Sequence, residues 1–501
     1  MNCSGVKDLH RRRICFQRMC IASDPVDRLP SAPGAAWSSR PASGRADFFV
    51  TDVPKTAMAD EAFSFGLKAT QGLLSLGDDY FVVALVGPTI SLCEDFSQGS
   101  VESIRVTCRV ADSGLYKVSV TRVFTGAEGL RLSAAEPSKR TRVLSEAVPR
   151  PAVEITGRGA RPFGNLHHLP PCNGPGAPAG RWVQSSLVCR SSPNSSHRLL
   201  PSCSLPPVEG SWRWLPYSCL YHPWGSEGLS RALGGRRILL LGDSTMRYLF
   251  GALLNLLDPD PSRRFKQVGY GCQRSDRIDG GAYTFCSHFN VTTFRGSGGV
   301  IVSYAQPLAA GKSDAQGCHD LRADRLPTFL RATPPPDAVL VQIPWLSQYC
   351  NDHEPLLPSA VSALLPLLNA LSPPPILSRR TAMAWSPWSV PPDHCVSLQL
   401  SRSFERRISK AMPGLLLQGG GTVGGGGGDG NRDARAGAPP DLDLLQMTLP
   451  LYAVENSVSV HATPHTNAML AHIAATHLVG MLRHSGRRRA IAQPQAGRQR
   501  P

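Results

Sequence analysis

The stretch that most constrains the fold is Arg236-Arg237-Ile238-Leu239-Leu240-Leu241-Gly242-Asp243-Ser244-Thr245-Met246-Arg247. Ile238 to Leu241 is a continuous apolar run, the pattern of a parallel strand covered on both faces. Gly242 supplies the conformational freedom for a sharp turn at its end. Met246, Phe250, Leu253, Leu254 and Leu257 then recur at helical spacing, so Ser244 falls near a helix N-terminus. Backbone N–H groups and the positive end of the helix dipole would meet an oxyanion forming there. A serine at this place also caps helices, and the triplet alone leaves both readings open.

Far downstream, Ser457-Val458-Ser459-Val460-His461-Ala462-Thr463-Pro464-His465 precedes a second amphipathic helix, expected over Ala468 to Leu482. In an α/β sheet, strand-to-helix loops gather on one edge, so a nucleophile early in a domain and a histidine late in it can meet. Between them, Ala282 to Phe294, Val300 to Tyr304, Asp337 to Gln342 and Ile376 to Ala384 read as strands. Leu356 to Leu371 and Ser397 to Met412 read as helices, and Asp441 to Leu445 as a return to the sheet. This alternation predicts a doubly wound parallel α/β sheet.

The chain ahead of it has a different pattern. Tyr80 to Val86, Ser103 to Val110 and Leu115 to Phe124 are strand-like, the last two alternating apolar with polar around an Asp112-Ser113-Gly114 turn. A small β-sandwich over 46–150 follows, after a leader at 1–45 with the composition of a disordered segment. Pro and Gly density marks 151–178 as a linker. The α/β domain then occupies 179–482, interrupted at 418–440 by a polyglycine-bearing insertion that cannot offset its ordering entropy. A basic tail, read as disordered, runs over 483–501. Trp182, Trp212, Trp214 and Trp224 form an aromatic segment expected to lie as a disulfide-stapled flap over the main sheet, with direct stacking on a sugar as the lesser alternative.

The net charge of +16 is concentrated in arginine-rich ends. No zinc-finger spacing or RNA-binding aromatic motif accompanies them, so nucleic acid is not the expected partner. The 14 cysteines are dispersed rather than set in metal knuckles, which fits disulfides in a secretory compartment, and Cys93 and Cys108 are a candidate pair. The sequons Asn194-Ser195-Ser196 and Asn290-Val291-Thr292 fit the same compartment. No signal peptide or membrane span is legible. His461 and His465 have a spacing seen in zinc sites, but without a third ligand in context no metal is expected, and His472 and His477 read as solvent-facing helix residues.

Gly242-Asp243-Ser244 with Arg247 and the late His461 resembles the SGNH (GDSL-type) hydrolases, in their PC-esterase branch. Gly180-Arg181-Trp182-Val183 and Trp212-Arg213-Trp214-Leu215-Pro216-Tyr217-Ser218-Cys219 resemble the approach to this block in plant trichome-birefringence-like polysaccharide O-acetyltransferases. Asp112-Ser113-Gly114-Leu115-Tyr116-Lys117-Val118-Ser119-Val120 resembles the Ig-like domain of the neurexophilin and PC-esterase domain family.

The resemblance implies an Ig-like or filamin-like sandwich followed by an SGNH-type domain in the Golgi or secretory lumen. Its activity would be O-acyl transfer, acetyl above all, to carbohydrate hydroxyls through a serine acyl-enzyme. It implies Ser244 as nucleophile and His461 as base. The family's aspartate three residues before that histidine is replaced by Val458, and Glu455 is the nearest upstream acid. The oxyanion hole would draw on the Ser244 N–H, on Gln342 in place of the family's asparagine, and on a glycine among Gly280, Gly281, Gly296, Gly298 and Gly299, with Gly298 as candidate. No cofactor is implied. An acetyl ester or an acetyl-CoA-derived carrier would be the donor substrate, supplied by a membrane-bound partner or in soluble form. A carbohydrate or polysaccharide would be the acceptor. A carbohydrate acyl esterase, and an inactive glycan-binding or interaction protein keeping the fold, are the rival readings.

Overall fold

The computed structural model describes residues 48–70, 80–125, 141–157, 169–188, 212–258, 274–284, 292–305, 325–342, 364–381, 442–451 and 464–492, with scattered positions inside these spans, Asp243 among them, left out. The N-terminal strands are β1 (Phe48–Thr51), β2 (Thr56–Met58), β3 (Ala62–Ala69), β4 (Tyr80–Val86), β5 (Thr89–Cys93), β6 (Asp95–Ser100), β7 (Ser103–Arg109), β8 (Gly114–Thr125), β9 (Thr141–Glu146), β10 (Ala152–Thr156), β11 (Gly180–Gln184) and β12 (Trp212–Pro216). They form two sheets, in the orders β1-β3-β7-β6 and β12-β11-β5-β4-β8-β10-β2, with β9 paired to β8.

Period-2 alternation puts one face of each sheet into a shared core. Phe48, Phe65, Leu67 and Val106 meet Val83, Leu85, Val118 and Val120, and the Phe48 and Phe81 rings pack edge to face at 5.1 Å. The disulfide Cys93–Cys108 ties β5 to β7, one strand from each sheet.

Two features differ from the sequence reading. Asp112-Ser113-Gly114 does not close a hairpin, because β7 and β8 lie in different sheets and the segment is a crossover corner. Asp112 is buried there and its carboxylate pairs with Arg181 at 2.8 Å, which no local alternation could announce. Ala152 to Thr156, inside the expected linker, is strand β10. Val153 and Ile155 alternate around Glu154 and bury themselves between β8 and β2.

The rest of the chain is an α/β layer. It comprises α1 (Ser185–Val188), α2 (Ser226–Ala232), β13 (Arg237–Leu241), α3 (Ser244–Leu257), β14 (Arg274–Ile278), β15 (Gly281–Thr284), β16 (Thr292–Arg295), β17 (Ile301–Ala305), α4 (Arg325–Ala332), β18 (Ala338–Val341), β19 (Ile376–Arg379), α5 (Leu444–Thr448) and α6 (Pro464–Ala492). The main sheet has the order β16-β17-β13-β18-β19, with β17, β13, β18 and β19 parallel and β16 an antiparallel edge. Ile238, Leu240, Ala338 and Leu340 share a core with Phe250 and Leu253 of α3 and Ile473 and Leu478 of α6. Leu239, Leu241 and Val339 point to the opposite face and are buried as well. The central strand is thus covered on both sides, as its unbroken apolar run requires.

The tryptophan segment is not a separate flap. Hairpin β11–β12 extends the larger sandwich sheet through β5 and delivers Trp182 and Trp214 into the α/β core. Trp182 Nε1 donates to the Met447 carbonyl at 2.6 Å and Trp224 Nε1 to Thr476 Oγ1 at 2.9 Å. Cys172–Cys219 closes the base of the hairpin. The close approach explains Gly180, where a Cβ would lie 2.7 Å from the Leu215 carbonyl oxygen.

After an isolated bridge from Leu442 to Arg380, the chain coils into α5 rather than continuing as a strand. Leu444, Met447 and Leu451 have helical, not alternating, spacing and all are buried. Helix α6 runs on through Arg487-Arg488-Arg489 to Ala492, where a disordered tail was expected from 483. The leader at 1–45, the insertion at 418–440, the helix at Ser397 to Met412, most of the helix at Leu356 to Leu371, the sequon asparagines Asn194 and Asn290 and the chain after Ala492 lie outside the described residues.

Candidate active site

Strand β13 is central in the main sheet, with β17 on one side and β18 on the other, and the chain reverses its direction of winding there. In open parallel sheets the crevice beyond the C-terminal ends of such strands is where ligands bind. Ser244 opens the 14-residue helix α3 at that end of β13. The end of the strand is held from both neighbours. Gly242 N–H donates to the Ala305 carbonyl at 3.2 Å, Tyr304 Oη donates to the Gly242 carbonyl at 3.3 Å, and Gln342 N–H donates to the Leu241 carbonyl at 2.7 Å.

Gly242 is needed for room, not for an unusual dihedral angle, since its φ is not positive. A Cβ there would lie 2.7 Å from Met246 Cβ and 3.0 Å from both Cβ and Oε1 of Gln342. That contact brings Gln342 against the serine turn. The register puts Leu241 beside Val341 and Val341 beside Arg379, so Gly242, Gln342 and Arg380 form the next rung, just past the apolar strands.

On that rung a polar network is buried. Arg380, 1% exposed, donates through Nη1 to Gln342 Oε1 and, at 3.2 Å, to Thr245 Oγ1, while the Thr245 hydroxyl donates to Gln342 Oε1 at 3.1 Å. The acceptor end of the carboxamide is therefore occupied by two donors, and its NH2 is the end that acts as a donor. Thr245 and Arg380 were not singled out in the sequence. The visible signal was the polar run Ser378-Arg379-Arg380-Thr381 ending an apolar strand.

The other expected site residues divide. Gly298 lies at the opposite end of the sheet. It has φ 72°, its carbonyl accepts Gly235 N–H at 2.9 Å just before β13, and a Cβ on it would sit 3.2 Å from the Ser230 carbonyl oxygen. A five-residue strand, roughly 16 Å long, separates that turn from Ser244, so Gly298 is not part of a site there. Gly296 and Gly299 belong to the same distant turn. Gly281 begins β15, and Gly280, Glu455, Val458 and His461 lie outside the described residues. Arg247 lies 5.5 Å from the Tyr248 ring centroid, a cation–π contact.

His472 and His477 of α6 are buried, not solvent-facing. His477 accepts Gly176 N–H on Nδ1 at 2.6 Å and meets Ser378 Oγ through Nε2 at 2.9 Å. With Nδ1 an acceptor, the neutral ring carries its proton on Nε2 and donates it to Ser378. It cannot take a proton from that serine, so this Ser–His contact is structural. Burial lowers the His477 pKa to about 4, and burial, followed by the neighbouring Arg213 charge, lowers that of His472 to about 4.

Among the described residues no group of three or more His, Cys, Asp or Glu side chains is placed to hold a metal ion, and no helix is long and apolar enough to cross a membrane. Compared with known proteins, the chain matches no family model, and no curated protein is significantly similar to it.

Proposed function

We propose that this chain is an SGNH-type O-acyltransferase with an Ig-like domain, moving an acyl group, acetyl in the first instance, to carbohydrate hydroxyls through Ser244. One observation carries the reading: Ser244 heads a long helix at the end of the central parallel strand, with the buried Gln342 carboxamide against the same turn. A serine hydroxyl at a helix N-terminus can attack an acyl ester, with the negative charge that develops on the carbonyl oxygen met by backbone N–H groups and a side-chain amide donor. His461 would remove the serine proton and return it to the leaving alkoxide. A sugar hydroxyl deprotonated by the same imidazole would then take the acyl group. Water as acceptor would make the enzyme an esterase.

Val458, three residues before His461, favours a second reading. Without a carboxylate at that place, orientation of the imidazole falls to Glu455 or to a backbone carbonyl. Where neither serves, the protein would be a non-catalytic glycan-binding relative. Intact-mass measurement after incubation with a small acetyl ester separates the two. An added acetyl group in the wild type, absent in Ser244→Ala and suppressed in His461→Ala, supports the enzyme. No adduct in folded wild-type protein supports the binding protein.

A further inference from the structure

A cavity of about 670 Å³ opens where the sandwich, hairpin β11–β12 and the chain around α5 meet. Its walls bring together Asp95 and Arg109 from the sandwich, Arg181, Trp214 and Tyr217 from the hairpin region, and Asp443 from the run into α5. We infer that this cavity is a binding subsite for a neutral carbohydrate. The inference rests on the acyl-transfer reading only in taking that sugar as the acceptor.

Size is the first argument, since small ligands occupy clefts of roughly 300–1,000 Å³, often at junctions between layers. Charge is the second. Although the chain carries +16, the lining is not cationic. Arg181 is neutralised by the buried Asp112 at 2.8 Å and Asp443 is engaged by Thr381, so the remaining lining charges are Asp95 and Arg109, one of each sign. An anionic sugar would gain little there, whereas neutral hydroxyls find a carboxylate acceptor and a guanidinium donor. Shape is the third. Tyr217 lines the cavity while 42% exposed, and the Arg181 guanidinium, 4.5 Å from its ring centroid, steadies an aromatic ring of the kind on which the C–H face of a sugar can pack. Asp443 also joins this cavity to the serine side of the sheet. Its Oδ1 accepts from Thr381 Oγ1 at 3.0 Å, and Thr381 follows Arg380 in the chain.

The test is equilibrium binding with full-length Ser244→Ala protein, so that turnover does not enter. The probes are arrayed neutral oligosaccharides of hexose, pentose and N-acetylhexosamine units, with sialylated and uronic-acid oligosaccharides alongside. Binding of at least one neutral oligosaccharide is expected, weakened tenfold or more by Tyr217→Ala, kept by Tyr217→Phe, and weakened severalfold by Asp95→Asn. The exposed Asp95 provides the reading if Tyr217→Ala fails to fold. Binding to no neutral probe, binding to acidic probes alone, or neutral binding indifferent to the Tyr217 and Asp95 changes would each overturn the subsite. Because Ser244 is absent from the assay, these outcomes are independent of the acetyl-adduct experiment.

Discussion

The Gln342 carboxamide oxygen accepts from the buried Arg380 guanidinium, and this pair joins the ends of two neighbouring parallel strands directly beside the turn that begins with Gly242. A guanidinium at 1% exposure depends on its acceptors, because an uncompensated buried charge costs several kcal/mol. Gln342→Leu should therefore destabilise the fold by about 2–4 kcal/mol in urea denaturation. Arg380→Met made on top of it should recover part of that loss. A double mutant no more stable than Gln342→Leu would show that the two side chains are energetically independent.

The serine turn makes a second, steric prediction. Gly242→Ala places a methyl group 2.7 Å from Met246 Cβ, an atom fixed to the helix backbone, so relief requires α3 or the Gln342 strand end to move. Overpacking of this kind costs roughly 1–3 kcal/mol. If Ser244 carries the proposed acyl chemistry, labelling there should fall by a larger factor than the folded fraction does, since displacement of the helix start changes donor geometry directly. Labelling at the wild-type rate in Gly242→Ala would mean that the turn tolerates the shift.

The elements legible in the sequence were those whose burial is local. The unbroken run Ile238 to Leu241 forecast a doubly covered strand, and the alternation through Leu115 to Phe124 forecast β8 almost residue for residue. What escaped depends on partners distant in the chain. The Asp112 segment is a crossover because β7 and β8 belong to different sheets, with its carboxylate on the distant Arg181, and hairpin β11–β12 joins the sandwich by pairing with β5. At the site, strand–turn–helix spacing pointed to the Ser244 position, while Gln342 came only from the family resemblance. Arg380 is 135 residues from Thr245, and only the strand order puts them on one rung. The choice of Gly298 failed for the same reason, since a glycine's composition does not say at which end of a sheet it turns.

His477 supplies a pH prediction. Its folded pKa is depressed from 6.5 to about 4 by burial, so between these values the unfolded chain binds the extra proton and stability rises with pH. The contribution is present in full above pH 6.5 and is lost progressively as pH falls towards 4, a span worth on the order of 3 kcal/mol. Melting temperature should drop between pH 7 and pH 5. His477→Gln, whose amide can accept Gly176 N–H and donate to Ser378, should flatten that slope. An unchanged slope in the variant would assign the acid sensitivity to other groups, His472 first.

Arg213 makes the opposite case, a charge the fold is better without. It is fully buried in β12, its Nε donates to Ser185 Oγ at 3.1 Å, and burial pulls its pKa down to about 10, so it is still a cation at neutral pH. Its terminal nitrogens meet no acceptor among the described residues. Replacing a buried ion by an apolar side chain of similar volume is commonly neutral or stabilising by about 1–4 kcal/mol. Arg213→Met should therefore hold or raise the melting temperature. It should also raise the His472 pKa from about 4, because the Arg213 charge is the second cause of that depression after burial. Both are readable on one sample, by calorimetry and by following the His472 ring resonances with pH. A loss of stability with the His472 titration unmoved would mean that the guanidinium earns its place through contacts other than those two neighbours.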